Sequence, residues 1–341
     1  MKKGVVLLAF LFSMGLLVAA TGTAQVVRVS DLSINSDAPF YIGIEKGYFK
    51  ERGIDVKLEK FASAAVAMAP LSTGEIHVVG GGVNPALFNA FARGLPVKVV
   101  AARNRDLPGY SGNTLMVRAD LKEQIRKFAD LKGRKVAINA PGSPLVYMMG
   151  KMLESEGLSV KDVEIVYMPW PDMGAAFARK AIDAGSLVDP FVVEYEDKGY
   201  AYVWKRASDV IRDPWFEVAI IFYNKDWAEK NPQVAKDFMV AYLKGVRMMN
   251  AAFVLKDPKV RAEVIDVLLK YTRVKDRALQ ERMTLTYMDP NGMVSKEGLR
   301  EQQDWYHKQG TVPRKADIDA IVDDQYVKHA VQQLGLYTPP R

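Results

Sequence analysis

A small polar residue recurs just before a proline at three predicted helix starts. The instances are Asp37-Ala38-Pro39, Asn84-Pro85 and Ser143-Pro144. Carboxylate, amide and hydroxyl oxygens accept hydrogen bonds from the free N–H groups of a first helical turn, and proline fits that turn. The same N–H groups and the helix dipole favour an anion. The pattern therefore indicates either simple helix capping or a shared site for a polar or anionic ligand.

Aromatic side chains lie close to these helix starts in the sequence. Phe40 and Tyr41 follow Pro39, Trp170 precedes Pro171-Asp172, and Trp215 lies at a predicted crossover between two parts of the chain. Such rings can form the apolar walls of a ligand pocket. The alternative is that they pack in the core or at its rim.

Signals for catalysis are weak. The three histidines are far apart and have no metal-ligand spacing. The run Gly80-Gly81-Gly82 lacks the Gly-Lys-Ser/Thr ending of a phosphate loop, although its glycines would let the backbone approach a ligand or turn tightly. Because no nucleophile, base and orienting group can be assembled, we predict a binding protein that is not an enzyme and has no cofactor or metal.

The N-terminus has the composition of a secretion signal. Lys2 and Lys3 precede an apolar run from Val5 to Ala20, and small residues lead to Ala24. We therefore predict a cleavable signal peptide over residues 1–24. The alternative is a retained membrane anchor, which is disfavoured because the run is short for a bilayer span of about 20 residues.

The chain has 341 residues, no cysteine and a net charge of +7. Without cysteine there is no disulfide framework, no thiolate chemistry and no lipid attachment at the end of the signal. The mild positive charge forms no dense Lys/Arg block, which argues against a nucleic-acid partner. We expect a free, soluble protein in the periplasm of a double-membraned bacterium.

The hydrophobic pattern alternates between strands and helices. The first unit has predicted strands at 26–29, 54–58, 76–79 and 97–102, a polar segment follows at 103–112, and a second unit begins at Thr114. Alternation of this kind predicts βαβ units and a mainly parallel sheet in each unit. Arg103 and Arg105, in the polar segment, are expected to face solvent. A single continuous doubly wound sheet is the alternative.

The last third of the chain is predicted to be mostly helical. A β-type run at 216–223 is followed by helices at 233–255, 258–269 and 276–286. We place the lobe limits near residues 103–113 and 213–222, so that residues 25–108 and 222–341 form lobe 1 and residues 109–221 form lobe 2.

An ordered set of short motifs resembles the solute-binding proteins of ABC importers in the nitrate/sulfonate/taurine group, the NMT1/THI5-like family. The motifs are Pro39-Phe40-Tyr41 through Lys46-Gly47-Tyr48-Phe49 to Gly53-Ile54-Asp55-Val56, then residues 71–78, 131–137 with Gly142-Ser143, 175–177 with 182–184 and 189–191, and Asn231-Pro232 with Phe238 and Ala241-Tyr242. The chain departs from the family at His77, where aspartate is usual.

The resemblance implies a two-lobed periplasmic-binding-protein fold of type II, with a helical C-terminal region and the ligand held between the lobes. The implied partners are a membrane permease, its ATPase and a small, anionic solute such as a sulfonate or aromatic carboxylate, bound by a monomer. The implied ligand contacts lie at helix N-termini facing the cleft, and we assign the aromatic walls beside them. These residues are Asp37, Phe40, Tyr41, Ser63, Asn84, Ser143, Trp170, Asp172, Asp189 and Trp215.

Two other functions stay open. Relatives of the THI5-like branch bind or make a pyrimidine precursor, although their cysteine-rich motif is absent from this chain. A periplasmic protein that binds a ligand for a sensor, without transport, would have the same fold.

Overall fold

The computed structural model describes residues 24–61, 63–211 and 216–338. The predicted signal peptide, apart from Ala24, and Trp215 lie outside these residues. In the described part of the chain, no helix is both long enough and apolar enough to cross a membrane.

Ten strands form two five-stranded sheets in the described residues. The first sheet has the order β2-β1-β3-β10-β4 and the second has the order β7-β6-β8-β5-β9. The strands are β1 (Gln25–Asp31), β2 (Ile54–Lys60), β3 (Val78–Gly82), β4 (Val97–Arg105), β5 (Thr114–Arg118), β6 (Lys135–Ile138), β7 (Glu164–Tyr167), β8 (Ala184–Leu187), β9 (Ala201–Arg206) and β10 (Glu217–Asn224).

The two sheets share one topology. In the first sheet β10 is antiparallel to both of its neighbours, and in the second sheet β5 is antiparallel to both of its neighbours. The pairings of β1 and of β6 are parallel. Each sheet therefore has one reversed strand, and in both sheets it is the strand that the chain enters directly after a crossover.

Fourteen helices flank the sheets in the described residues. They are α1 (Ala38–Glu45), α2 (Ala64–Thr73), α3 (Pro85–Ala92), α4 (Pro144–Glu154), α5 (Trp170–Ala178), α6 (Phe191–Asp197), α7 (Ala207–Val210), α8 (Lys225–Lys230), α9 (Pro232–Phe253), α10 (Pro258–Tyr271), α11 (Arg277–Arg282), α12 (Lys296–Lys308), α13 (Ile318–Ile321) and α14 (Gln325–Leu334).

The chain crosses between the sheets twice, from β4 to β5 and from β9 to β10. We call the first sheet with its helices lobe 1 and the second sheet with its helices lobe 2. Because β10 already belongs to the first sheet from Glu217 onward, we propose to move the predicted limit of lobe 2 from 221 to 216.

The hydrophobic core is not divided at the lobe boundary. One cluster of buried side chains packs α1, α9 and α10 against the first sheet. A second cluster contains residues of both lobes, among them Phe88 and Phe222 of lobe 1 and Leu115 and Tyr147 of lobe 2. Burial of apolar surface stabilises by roughly 25 cal/mol per Å². It therefore stabilises the contact between the lobes as well as the packing of helices on the sheet within lobe 1.

Two predicted segments differ from the structure. β4 continues to Arg105, so Arg103 and Arg105 are buried rather than solvent-facing. The helix predicted over 276–286 ends at Arg282. Beyond it the backbone N–H of Tyr287 donates to the carbonyl of Arg105 at 3.0 Å, and the reverse bond is 2.9 Å long. Pairing with a distant strand thus overrides the local helical pattern.

A buried carboxylate lies in the first crossover. Asp106 accepts hydrogen bonds from Asn113 Nδ2 at 2.7 Å and from the Gly112 backbone N–H at 3.2 Å. Burial raises the pKa of Asp106 to about 7, and these bonds oppose the shift.

The raised pKa of Asp106 predicts a pH dependence of stability. Between about pH 4 and 7 the folded protein holds a proton that the unfolded chain has released, so the free energy of unfolding falls as pH rises through this window. In Asp106→Asn, which mimics the protonated acid, this part of the slope should disappear. Melting temperatures of both proteins from pH 4.5 to 8 measure the difference, and parallel curves would show that Asp106 does not titrate there.

Candidate functional site

Three glycines at the end of β3 each leave space for a different part of the molecule. A Cβ at Gly80 would lie 3.1 Å from the Arg103 guanidinium carbon. At Gly81 it would lie 2.1 Å from Ala64 Cβ, and at Gly82 it would lie 2.8 Å from Pro144 Cγ. Real Cβ atoms do not approach as closely as they would at Gly81 and Gly82, and the contact at Gly80 would be tight, so side chains in this run would displace their neighbours.

These contacts bring three helix starts together. Ala64 at the start of α2 packs against Gly81. Pro144 at the start of α4, which belongs to lobe 2, packs against Gly82. In return, Pro85 at the start of α3 lies 3.9 Å from the Cβ position of Gly142, which precedes α4. Ser63, Asn84 and Ser143, which directly precede these helices, therefore meet where the lobes touch.

Each of the three residues caps its own helix. Ser63 Oγ accepts from the Val66 N–H at 3.4 Å, and Ser143 Oγ accepts from the Leu145 N–H at 3.3 Å. Asn84 Oδ1 accepts from the Leu87 N–H at 3.1 Å, while its Nδ2 donates to the Gly82 carbonyl at 2.9 Å. Capping is therefore one role of these side chains, and the two hydroxyl hydrogens are left as donors for a ligand.

Asp37 forms a buried ion pair instead of an exposed cap. Its Oδ1 accepts from Arg103 Nη2 at 2.5 Å, and its Oδ2 accepts from the Leu32 N–H at 3.0 Å. The Asp37 and Arg103 side chains are 0% and 2% exposed. Burial raises the pKa of Asp37 to about 6, although the Arg103 charge opposes the shift. The pair neutralises the charge of Arg103 behind Gly80.

The prediction that Phe40 and Tyr41 wall a cleft is not met, because both rings are fully buried in lobe 1. The Phe40 ring packs on Tyr242 of α9 at 5.1 Å between centroids. The Tyr41 hydroxyl donates to Asp31 at 2.5 Å, and its ring stacks on Tyr271 at 4.7 Å. The aromatic pair of the motif therefore anchors α1 to the C-terminal helices.

Three predicted site residues lie at the edge of lobe 2. Trp170 is partly buried, and its Nε1 donates to the Ser186 carbonyl at 3.2 Å. Asp172 is exposed in the first turn of α5. Asp189 Oδ2 accepts a hydrogen bond from the backbone N–H of Thr284 at 2.6 Å. This carboxylate oxygen is therefore already bonded to a segment from the C-terminal region. Trp215, the remaining wall residue, lies outside the described residues.

His77 stands where the resembling family usually has aspartate. Its Nδ1 accepts from the Arg28 backbone N–H at 3.2 Å, and its ring stacks on Trp227 at 4.9 Å. Burial lowers the pKa of His77 to about 4, so the ring is neutral and can accept. An aspartate could accept the same bond, which makes the substitution compatible with this fold.

Sequence reasoning missed the long-range partners of the site. Nothing local indicates that Arg103 reaches Asp37, that Pro144 lies on Gly82, or that Thr284 binds Asp189. The glycine run was the available signal, because three adjacent residues without side chains mark a place of close approach. In the described residues, no group of three or more His, Cys, Asp or Glu side chains could hold a metal ion.

Two sheets joined by two crossovers, with helix starts from both lobes meeting between them, define a two-lobed fold of the periplasmic-binding-protein type II class. The NMT1/THI5 like family model matches residues 35–255. The chain belongs to this family.

Two relatives with similar sequences are named as binding proteins. A Bacillus subtilis (strain 168) protein named "Putative aliphatic sulfonates-binding protein" is 25% identical over 347 residues, covering 98% of each chain. The taurine-binding periplasmic protein of Escherichia coli (strain K12) is 28% identical over 216 residues, covering 63% of this chain and 64% of its own.

Solved structures share the fold. The periplasmic aliphatic sulphonate binding protein SsuA from Escherichia coli superposes with a TM-score of 0.70 at 20% identity, over 87% of this chain and 97% of its own. The desulfurization enzyme DSZB superposes with a TM-score of 0.63 at 12% identity, over 91% and 99%. Because a named enzyme has the same fold, the fold alone does not separate binding from catalysis.

The contact between Gly81 and Ala64 can be tested by substitution. Gly81→Ala should destabilise the protein by about 1–3 kcal/mol, because the new methyl group overlaps that of Ala64. Adding Ala64→Gly removes the colliding atom, so the double variant should lose less than the sum of the two single changes. Urea unfolding of the four proteins gives the interaction energy, and strict additivity would contradict the contact.

Proposed function

We propose that this chain is the solute-binding component of an ABC importer. It captures a small organic anion, such as a sulfonate or an aromatic carboxylate, between its lobes and delivers it to a membrane permease. The proposal includes a periplasmic location after removal of residues 1–24, and no catalysis. The observation that carries it is the meeting of three helix starts from two lobes, in a chain of this family.

The polar groups at this meeting point suit an anion. The helix starts contribute the positive ends of three helix dipoles, and Ser63 and Ser143 retain hydroxyl hydrogens that can be donated. The nearby Arg103 charge is paired with Asp37. Binding therefore rests on helix dipoles and hydrogen bonds. An organic anion is favoured over a bare inorganic ion, because its apolar part is also buried on binding.

A ligand screen tests the proposal. Purified mature protein should gain stability with one class among sulfonates, aromatic acids, pyrimidines and inorganic anions. A ligand at a hundredfold its dissociation constant adds about 2.7 kcal/mol to the free energy of unfolding. Thermal shift measures the gain, and mass spectrometry of the recovered ligand shows whether it is unchanged. Turnover would support an enzyme, and a pyrimidine as the only stabilising class would support the THI5-like alternative.

Two cap substitutions test the site. Ser143→Ala removes the remaining hydroxyl hydrogen, and Asn84→Ala removes the Nδ2 hydrogen that is not bonded to Gly82. Each should weaken binding of the ligand found by the screen by about 1–3 kcal/mol, because the ligand loses a hydrogen-bond donor. Isothermal titration measures the change.

The matched controls lose a helix cap away from the meeting point. Ser159 Oγ accepts from the Lys161 N–H at 3.2 Å in lobe 2, and Asn224 Oδ1 accepts from the Trp227 N–H at 2.7 Å in lobe 1. Ser159→Ala and Asn224→Ala should leave affinity unchanged. Equal affinity in all four variants would remove this site assignment.

A further inference from the structure

The helix α12, in the C-terminal region, contacts both sheets' helices. On the lobe 1 side, the Tyr306 ring packs on Phe88 of α3 at 6.2 Å, and its hydroxyl donates to the Val83 carbonyl at 3.3 Å. Gln302 Nε2 donates to the Glu217 carbonyl of β10 at 3.0 Å. These contacts make α12 part of lobe 1.

The opposite partner of α12 is α4 of lobe 2. The Trp305 ring lies edge-on to Tyr147 at 5.3 Å, and a Cβ at Gly150 would lie 2.2 Å from Trp305 Cζ2. Trp305 Nε1 donates to Glu154 Oε1 at 2.8 Å, and Lys151 Nζ pairs with Glu301 at 2.8 Å. Trp305 is 7% exposed, so its ring is buried between the lobes.

The α4 residues in this contact are spaced at i, i+3, i+4 and i+7, which is one face of a helix over two turns. A contact of that length fixes the direction of α4 as well as its position. Pro144, at the start of the same helix, lies on Gly82 of lobe 1. Since α4 moves as a rigid rod, its start cannot leave Gly82 unless the Trp305 contact also breaks.

We propose that α12 is a built-in clamp, in which Trp305 holds lobe 2 against lobe 1 in the arrangement seen here, even without a ligand. In this arrangement the start of α4 already packs closely against lobe 1, because a Cβ at Gly82 would lie 2.8 Å from Pro144 Cγ. The clamp therefore favours the closed state, and opening requires the buried indole to leave α4. Gly150 is the residue that makes room for the ring.

The absence of cysteine makes the test direct. Val66 of lobe 1 and Tyr167 of lobe 2 are 58% and 46% exposed. Spin labels attached at Val66→Cys and Tyr167→Cys report on the separation of the lobes. Pulsed electron paramagnetic resonance measures the distance between the two labels, and no ligand is needed. The unliganded parent protein should show one short distance.

Trp305→Ala in this labelled background should add a longer distance. The ratio of open to closed molecules should rise about tenfold or more, as expected when a buried interface tryptophan is truncated. Gly150→Ala, which displaces the ring from the other side, should act in the same direction. The matched control is Trp227→Ala, because Trp227 packs on His77 and Tyr223 within lobe 1, and it should keep the parent distance.

Two results would overturn the clamp. One is an unchanged distance distribution in both Trp305→Ala and Gly150→Ala. The other is an unliganded parent protein that is already mostly at the longer distance. If Trp305→Ala does not fold, Gly150→Ala and Trp305→Phe, which keeps a ring but loses the bond to Glu154, decide the question. Because no ligand enters this measurement, its failure is distinct from failure of the solute-binding proposal.

Discussion

Gly80, Gly81 and Gly82 end a central strand without presenting a side chain, and three parts of the molecule occupy the space they leave. The buried Arg103 guanidinium lies behind the first glycine, the start of α2 lies on the second, and the start of α4 from the other lobe lies on the third. One strand end therefore sets the ion pair, the helix positions and the contact between lobes. A methyl group at any of the three would push apart elements that are distant in sequence.

The contact between lobes is more than a meeting of two helix starts. A single cluster of buried side chains extends across both lobes. Helix α12 contacts α4 along one face of that helix over two turns. In a binding protein that opens and closes, a ligand shifts the equilibrium only by its differential affinity for the two states. An apolar contact made only in the closed state lowers the free energy of closure, so the ligand has to supply less of it. It also raises the free energy needed for release, so that affinity and exchange rate are linked through Trp305.

Features set by neighbouring residues, such as helix starts, could be predicted from the sequence. Features set by contacts between distant residues could not. The capped helix starts at Ser63, Asn84 and Ser143 were placed correctly because the cap, and at Asn84 and Ser143 also the proline, lies beside the helix it begins. Alternating strands and helices also gave the two α/β units. Phe40 and Tyr41 were assigned to a cleft, although α9 and α10 cover them, and these helices follow some two hundred residues later in the chain. The segment after Arg282 has a helical pattern, yet its backbone pairs with Arg105 at the end of β4.

The same capping bonds that make the helix starts predictable also limit what they offer to a ligand. At α4 the Leu145 N–H is bonded to Ser143 Oγ, and the Val146 N–H is bonded to the Ser143 carbonyl at 2.9 Å. Proline supplies no N–H at the first position. An anion at this start therefore meets the serine hydroxyl and the field of the dipole, while the bare amide groups of an uncapped helix are missing. With Arg103 already paired to Asp37, a solute bound as proposed would be recognised by its shape and hydrogen-bonding groups together with the helix dipoles.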